Sequence, residues 1–134
     1  MKIIVDTSVW SLALRRDKED SPAPVQELRQ IILSHRVQMI GPIRQEILSG
    51  IRSESQFIKL RKHLESFPDL PILTEDYVKA AQFFNHCRSK GIQGSNTDFL
   101  ICAVAVRNKF SIYTTDKDFD LFSKYIQIVL HKAD

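Results

Sequence analysis

Four acidic residues in this 134-residue chain occupy positions where an acid is unexpected on a merely solvated face. Asp6 directly follows the apolar run Ile3-Ile4-Val5. Asp116 follows the stretch 111–114, rich in strand-forming residues. Glu46 lies three residues after Ile43 within a helical period, and Asp98 shares a helical stripe with Ile101, Cys102 and Ala105. If the two strand-ending acids belong to neighbouring parallel strands, their carboxylates sit side by side at the ends where such sheets bind ligands. Two carboxylates about 5 Å apart repel by roughly 3 kcal/mol at an effective dielectric of about 20. Four converging carboxylates therefore call for cations. An all-oxygen, water-rich set suits Mg²⁺ or Mn²⁺ over Zn²⁺. Such ions hold a phosphodiester, activate water and stabilise a leaving oxygen, so no protein nucleophile is required.

Taken singly, each acid has an ordinary explanation. Asp6 can serve as a turn residue, Asp98 gains a few tenths of a kcal/mol from a helix dipole, Glu46 can be a surface residue, and Asp116 can cap the helix it opens. The joint pattern is what carries weight. The fourth position has competitors, because Asp116, Asp118 and Asp120 all fall within residues 116–120; Asp116 is preferred for following its strand directly. A haloacid-dehalogenase-type phosphatase also opens with strand–Asp but needs a second Asp two residues on, where this chain has Ser8, and its lysine would have to be Lys117, inside the acidic run. A receiver domain would need an acidic pair before the first strand. The four histidines (His35, His63, His86, His131) show no metal-ligand spacing, and Cys87 and Cys102 form no CxxC pair.

The elements that must position these acids alternate short β-branched runs with helical periods, which indicates an α/β fold with a mainly parallel sheet of four to five strands. Residues 3–5 read as a buried strand. Val9, Trp10, Leu12 and Ala13 suit a helix ending in the charged run 15–20. Pro22 and Pro24 open a second helix, with Val25, Leu28, Ile31 and Ile32 at helical spacing. A second strand spans 37–40. Gly41-Pro42 starts a third helix with Ile43, Glu46, Ile47 and Gly50 sharing a face, and residues 54–66 form another, striped by Phe57, Leu60 and Leu64. A short third strand is expected at 70–73, weakened by Pro71. Thr74 caps a long helix ending at Gly91, with Tyr77, Phe83 and Phe84 packing from it. The most apolar helix covers 96–108, with Asn96 as N-cap. A fourth strand spans 111–114, a short helix 116–124 anchored by Phe119 and Phe122, and a last strand 126–130. Trp10 is expected in the core or at a dimer interface.

The length suits one domain over residues 1–134, and 43% hydrophobic with 26% charged residues excludes a disordered chain. No stretch is apolar enough to span a membrane, and the N-terminal apolar run is too short for a signal peptide. Two buried, reduced cysteines and a cytoplasmic location are expected. Net charge is only +3, but residues 29–62 hold seven Lys or Arg against two acids. That segment could track a phosphate backbone or meet an acidic protein.

In order along the chain, IIVDTSVW around Asp6, GPIRQEILSG around Glu46, GSNTDFLICAVA around Asp98 and YTTDKDFD around Asp116 resemble the PIN-domain ribonucleases, most closely the VapC-type toxins of toxin–antitoxin pairs. The resemblance covers essentially the whole chain. It implies a three-layer α/β/α fold with the acids gathered at the strands' C-terminal ends. It further implies that Asp6, Glu46, Asp98 and Asp116, with Asp118 or Asp120 as alternatives for the last, coordinate Mg²⁺ or Mn²⁺ for hydrolysis of an RNA phosphodiester. Thr7 and Ser8 match hydroxyl positions after the first acid, with helix capping expected of them. Asn96 matches a polar position before the third acid, and Thr115 is a supporting neighbour of the fourth. The resemblance also implies a homodimer and a small antitoxin that blocks the acids, with Arg44 and Arg52 expected at the RNA or antitoxin contact. The alternative reading is a catalytically silent scaffold of the same fold that binds RNA or protein.

Overall fold

The computed structural model describes residues 1–14 and 22–133. The charged run expected to end the first helix lies outside them.

Three short parallel strands form the sheet: β1 (Ile3–Val5), β2 (Val37–Gln38) and β3 (Ser111–Tyr113), in the order β2-β1-β3. β1 is central and fully buried, which explains why its sequence is continuously apolar rather than alternating. Its register pairs Ile3 with Val37 and Ser111, Ile4 with Gln38 and Ile112, and Val5 with Tyr113. The next residue on each of the two paired strands is Asp6 and Thr114.

The sheet has three strands among the described residues, where four to five were expected. The outer two expected strands are reduced to single parallel bridges, Met39 with Asp69 and Ile112 with Leu130. On the first side Pro71 has no N–H to extend a ladder, and pairing ends after Leu70 donates to the Met39 carbonyl at 3.0 Å. On the second, Ile112 N donates to the Val129 carbonyl and His131 N donates to the Ile112 carbonyl.

Among the described residues seven helices accompany the sheet: α1 (Thr7–Ala13), α2 (Ala23–Leu33), α3 (Gly41–Leu48), α4 (Glu54–Leu64), α5 (Thr74–Ser89), α6 (Asn96–Asn108) and α7 (Asp118–Phe122). Pro42 sits in the first turn of α3, where a missing N–H does no harm. α3 stops at Leu48, so Gly50 lies beyond it, with φ +85°, rather than on its inward face. α5 begins at Thr74 with Leu73 as the cap residue. Thr74 is therefore the first helical residue, and the capping bond comes from Asp76, whose Oδ2 accepts from Leu73 N at 2.9 Å. The helix closes on Gly91 at φ +76°, with Ile92 N bonded to the Cys87 carbonyl, a glycine C-terminal turn.

α6 is the core helix, with residues 99–105 all buried. It runs antiparallel to α5. Arg107 near its end bonds Asp76 near the start of α5, and Phe99 near its start meets Phe84 late in α5, ring centroids 5.7 Å apart. The C-terminal turn of α5 and the N-terminal turn of α6 therefore share one end of the molecule. Trp10 is a core residue, its Nε1 donating to the Val5 carbonyl at 3.1 Å. Cys87 and Cys102 are both buried and unpaired. Among the described residues no helix is long and apolar enough to cross a membrane.

Candidate functional site

Because Val5 and Tyr113 are register partners, the residues that follow them meet at the C-terminal edge of the sheet. Thr114 Oγ1 donates to Asp6 Oδ2 at 2.8 Å, and Ser8 Oγ donates to the same oxygen at 2.9 Å. Asp116 N donates back to Thr114 Oγ1 at 2.9 Å, and Thr115 N to Ser8 Oγ at 3.1 Å. Two hydroxyls thus lock the loop after β1 to the loop after β3. Asp6 itself is 6% exposed. A carboxylate so enclosed needs donors, and it has them on one oxygen.

Asp98 is the third residue of α6. Its N–H donates to Ser95 Oγ at 3.0 Å and its Oδ2 accepts from Ser95 N at 3.2 Å. This is a reciprocal capping box, so Ser95 and not Asn96 is the cap; Asn96 is the exposed first helical residue. Burial pushes the Asp98 carboxyl above the usual carboxylate range; the hydrogen bonds to Ser95 oppose this, and the charges of Asp6 and Asp116 add to the rise. Asp98 therefore lies in the field of Asp6 and Asp116. Of the three acids at 116–120, Asp116 is the one whose charge reaches Asp98. Asp116 also accepts from Asp118 N through Oδ1 at 2.9 Å, which starts α7. Asp118 and Asp120 are exposed, and Asp120 shares with Asp116 a small cavity of about 190 Å³ that His131 and Lys132 also line.

Glu46 enters from a different side. The inward face of α3 is Ile43 and Ile47, both buried, whereas Glu46 is exposed. Its place on the inward stripe is thus corrected: a residue three positions on from Ile43 is turned about 60° away from it. It joins the site through Thr7, whose Oγ1 donates to Glu46 Oε1 at 2.9 Å. The expected capping role of Thr7 and Ser8 is also corrected. The start of α1 carries no side-chain cap bond, and both hydroxyls bond the site acids instead.

Each acid thus has one oxygen held by a neighbour: Asp6 Oδ2, Glu46 Oε1, Asp98 Oδ2 and Asp116 Oδ1. The second oxygen of each makes no hydrogen bond among the described residues. This is the arrangement that orients carboxylate ligands for a hard cation, and the donor chemistry fits Mg²⁺ or Mn²⁺. As the side chains lie, no three His, Cys, Asp or Glu groups among the described residues stand close enough to hold an ion by themselves, so water would complete the coordination. Cys102, one turn after Asp98, is no alternative nucleophile: burial, then the charge of Asp98, holds its thiol far above the ordinary range.

The two basic residues singled out near Glu46 differ. Arg44 is engaged within the chain. Its guanidinium pairs with Asp69 at 3.0 Å and donates to the carbonyls of Leu64 and Phe67, which fastens the 64–70 segment to α3. Arg52 is exposed between α3 and α4. Two site residues were not singled out from sequence, Thr114 and Ser95. Ser95 had a signal, since Ser-x-x-Asp is a capping-box spacing. Thr114 becomes visible only with the β1–β3 register.

A family model described as "PIN domain" matches residues 3–125. Among curated proteins, this chain is 32% identical over 126 residues to VapC ribonuclease Mb1587 of Mycobacterium bovis and to Ribonuclease VapC11 of Mycobacterium tuberculosis, covering 91% of this chain and 92% of each relative. Among solved structures, it is similar to FitAcB from Neisseria gonorrhoeae (TM-score 0.75, 20% identity, 97% of this chain and 96% of that one). It is also similar to VapBC2 from Rickettsia felis bound to a DNA fragment from their promoter (TM-score 0.77, 16% identity, all of both chains). At these identities the structural likeness speaks for the fold.

Proposed function

This chain belongs to the PIN domain family, and on that premise we propose that it is a Mg²⁺- or Mn²⁺-dependent endoribonuclease that hydrolyses RNA phosphodiester bonds, acting as the toxin of a type II toxin–antitoxin pair. The observation that carries the reading is the set of four carboxylates, each with one oxygen fixed and one uncommitted, with Asp98 in the field of Asp6 and Asp116. The ribonuclease names of relatives that align along nine tenths of the chain support it.

Within that reading Asp6, Glu46, Asp98 and Asp116 would hold the ion, with water completing its coordination. When bound, Mg²⁺ or Mn²⁺ supplies positive charge beside a phosphoryl oxygen and a water of lowered pKa. The chain's own part is orientation. Ser8 and Thr114 fix the Asp6 carboxylate, Thr7 fixes Glu46, the Ser95 N–H fixes Asp98 and the Asp118 N–H fixes Asp116. Arg52 is placed at a contact with antitoxin or RNA, and a cytoplasmic homodimer is the expected form.

Cleavage of total RNA by wild type with Mg²⁺, abolished by EDTA and by Asp6→Asn, is the expected result, together with arrested growth when the wild-type chain is expressed alone. Folded wild type that cleaves no RNA with either ion, and leaves growth normal, assigns the chain to the silent-scaffold alternative.

A further inference from the structure

Between Asp76 and Asp98 the chain has no acidic residue but three formal cations, Lys79, Arg88 and Lys90. Between Asp120 and Asp134 it again has none, with Lys124 and Lys132. The two acid-free segments meet in the fold. The His86 ring packs edge-on against Tyr125, centroids 6.3 Å apart, and the Phe122 ring lies directly against the α-carbon of Gly94. The seam adjoins the acids on both sides, because Gly94 precedes the Ser95–Asp98 capping box and Phe122 ends the helix that Asp116 starts.

Its surface combines charge with aromatic faces. Tyr125 is 42% exposed, and His86, Arg88, Lys90 and Lys124 are exposed. The Arg88 guanidinium carbon stands 5.9 Å from the Phe84 ring centroid and makes no ion pair among the described residues. Beside it a cavity of about 180 Å³, the scale of one planar ring system, is lined by Phe84, Arg88, Ile92, Gln93, Gly94 and Phe99. Lysines and an arginine on segments that carry no acid of their own suit a polyphosphate backbone. Exposed aromatic rings and a stacked guanidinium suit unpaired bases, whose faces a duplex hides. An acidic protein would be met by the cations alone and leaves the aromatic faces unexplained.

We propose that this seam, formed by the C-terminal end of α5, the loop 91–94 and the residues following α7, binds the single-stranded RNA that flanks the scissile phosphodiester, with Tyr125 and Arg88 stacking bases and Lys90 and Lys124 meeting phosphates. The inference deepens the ribonuclease reading and rests on it for the identity of the strand. It adds a surface for the flanking strand beyond residues 29–62, where Arg44 is already occupied by Asp69 and two carbonyls.

The test is fluorescence anisotropy with a labelled 12-nucleotide single-stranded RNA and a duplex of the same length, in EDTA and an Asp6→Asn background so that nothing is cleaved. Tyr125→Ala is expected to weaken single-strand binding on the order of tenfold. Arg88→Ala and Lys124→Ala are expected to weaken it and to lower the salt slope by about one each. The duplex should bind less well, and Lys79→Ala, at the far end of α5, should bind as the parent. Thermal melts confirm that these surface variants fold. Parent-like binding by Tyr125→Ala and Arg88→Ala overturns the proposal, as does absence of RNA binding by the parent. Loss with Lys124→Ala alone, with Tyr125→Ala binding as the parent, shows charge attraction without base stacking and overturns it equally. Binding that depends on the seam in a chain whose wild type cleaves no RNA sustains the seam and removes the ribonuclease reading, so the two failures are distinguishable.

Discussion

Thr114 Oγ1 lies 2.8 Å from Asp6 Oδ2 and donates to it, and the same hydroxyl accepts from the backbone N–H of Asp116. One side chain thereby sets the orientation of the first acid and the path of the chain into the fourth.

That double role predicts the behaviour of Thr114→Val. The valine keeps the shape and removes both bonds, so Asp6 retains only Ser8 on that oxygen. Loss of such an outer partner costs roughly 10- to 100-fold in metal affinity, with about 1 kcal/mol of stability for the bonds removed. Titration calorimetry with Mn²⁺ and a thermal melt separate the two effects. Thr114→Ser should restore affinity; an unchanged Mn²⁺ affinity in Thr114→Val means that the hydroxyl does not orient the site.

Asp98 predicts how the ion-free protein responds to charge. Its carboxyl is raised by burial first and by Asp6 and Asp116 after that. A carboxyl raised in the fold favours the folded state when protonated. The contribution is complete below the unfolded value of 3.8 and is lost as pH rises through the higher folded value. At neutral pH the ionised cluster is therefore a burden on the ion-free protein. Asp98→Asn, whose amide oxygen can still accept from Ser95 N, should melt higher than wild type in EDTA and gain less from added Mg²⁺. Wild type should gain about 2.7 kcal/mol at a hundredfold excess over its dissociation constant. A melt of Asp98→Asn at or below that of wild type in EDTA contradicts the predicted repulsion.

The glycine at 94 is set by contact rather than by backbone angle. A Cβ there would stand 2.5 Å from Phe122 Cζ and 2.9 Å from Phe99 Cε2. Phe99 and Phe122 are fully buried and pack on one another at 4.7 Å, so moving either ring disturbs the packing of the other. Gly94→Ala should cost about 1–3 kcal/mol by overpacking, and Phe122→Leu in the same chain should recover part of it. Chemical denaturation with unchanged slope is the check. An alanine variant as stable as wild type means that the ring swings away freely.

How much of this was legible in the sequence follows from the range of each interaction. β1, α6 and the positions of Asp6, Asp98 and Asp116 were readable because an apolar run and an acid at its end are local signals. The order of the acids along the chain added what periodicity lacked. Thr114 was not readable, since its importance comes from pairing with a strand 108 residues away. Glu46 was expected on an inward stripe because Ile43 precedes it, yet Ile47 takes that face and Glu46 is held through Thr7. Arg44 was expected at an RNA or antitoxin contact, and only the fold brings Asp69 and two carbonyls to it. The edge strands were over-counted: Pro71 has no N–H to extend its ladder, and each expected edge strand is a single bridge among the described residues.

The ion pair between Asp76 and Arg107, at the other end of α6 from the site acids, makes the fold sensitive to acid. Asp76 is 1% exposed and accepts from Arg107 Nε at 2.7 Å and Nη2 at 2.9 Å, joining the start of α5 to the end of α6. Burial pushes the Asp76 carboxyl up, but the hydrogen bonds from Arg107 and from the Leu73 N–H, with the guanidinium charge, outweigh it and hold the carboxyl below its ordinary 3.8. A depressed carboxyl contributes stability that is complete above the unfolded value and disappears as pH falls through the folded one. Wild type should therefore lose stability below about pH 4 partly through this pair. Arg107→Ala strands a buried carboxylate and should cost about 3 kcal/mol at pH 7. As pH falls and the stranded Asp76 takes up a proton, that cost should shrink. Urea melts of both proteins across pH 3–7 decide it: a constant gap between the two curves means that the charge on Asp76 contributes nothing, and a narrowing gap toward acid locates the α5–α6 clasp in this one carboxylate.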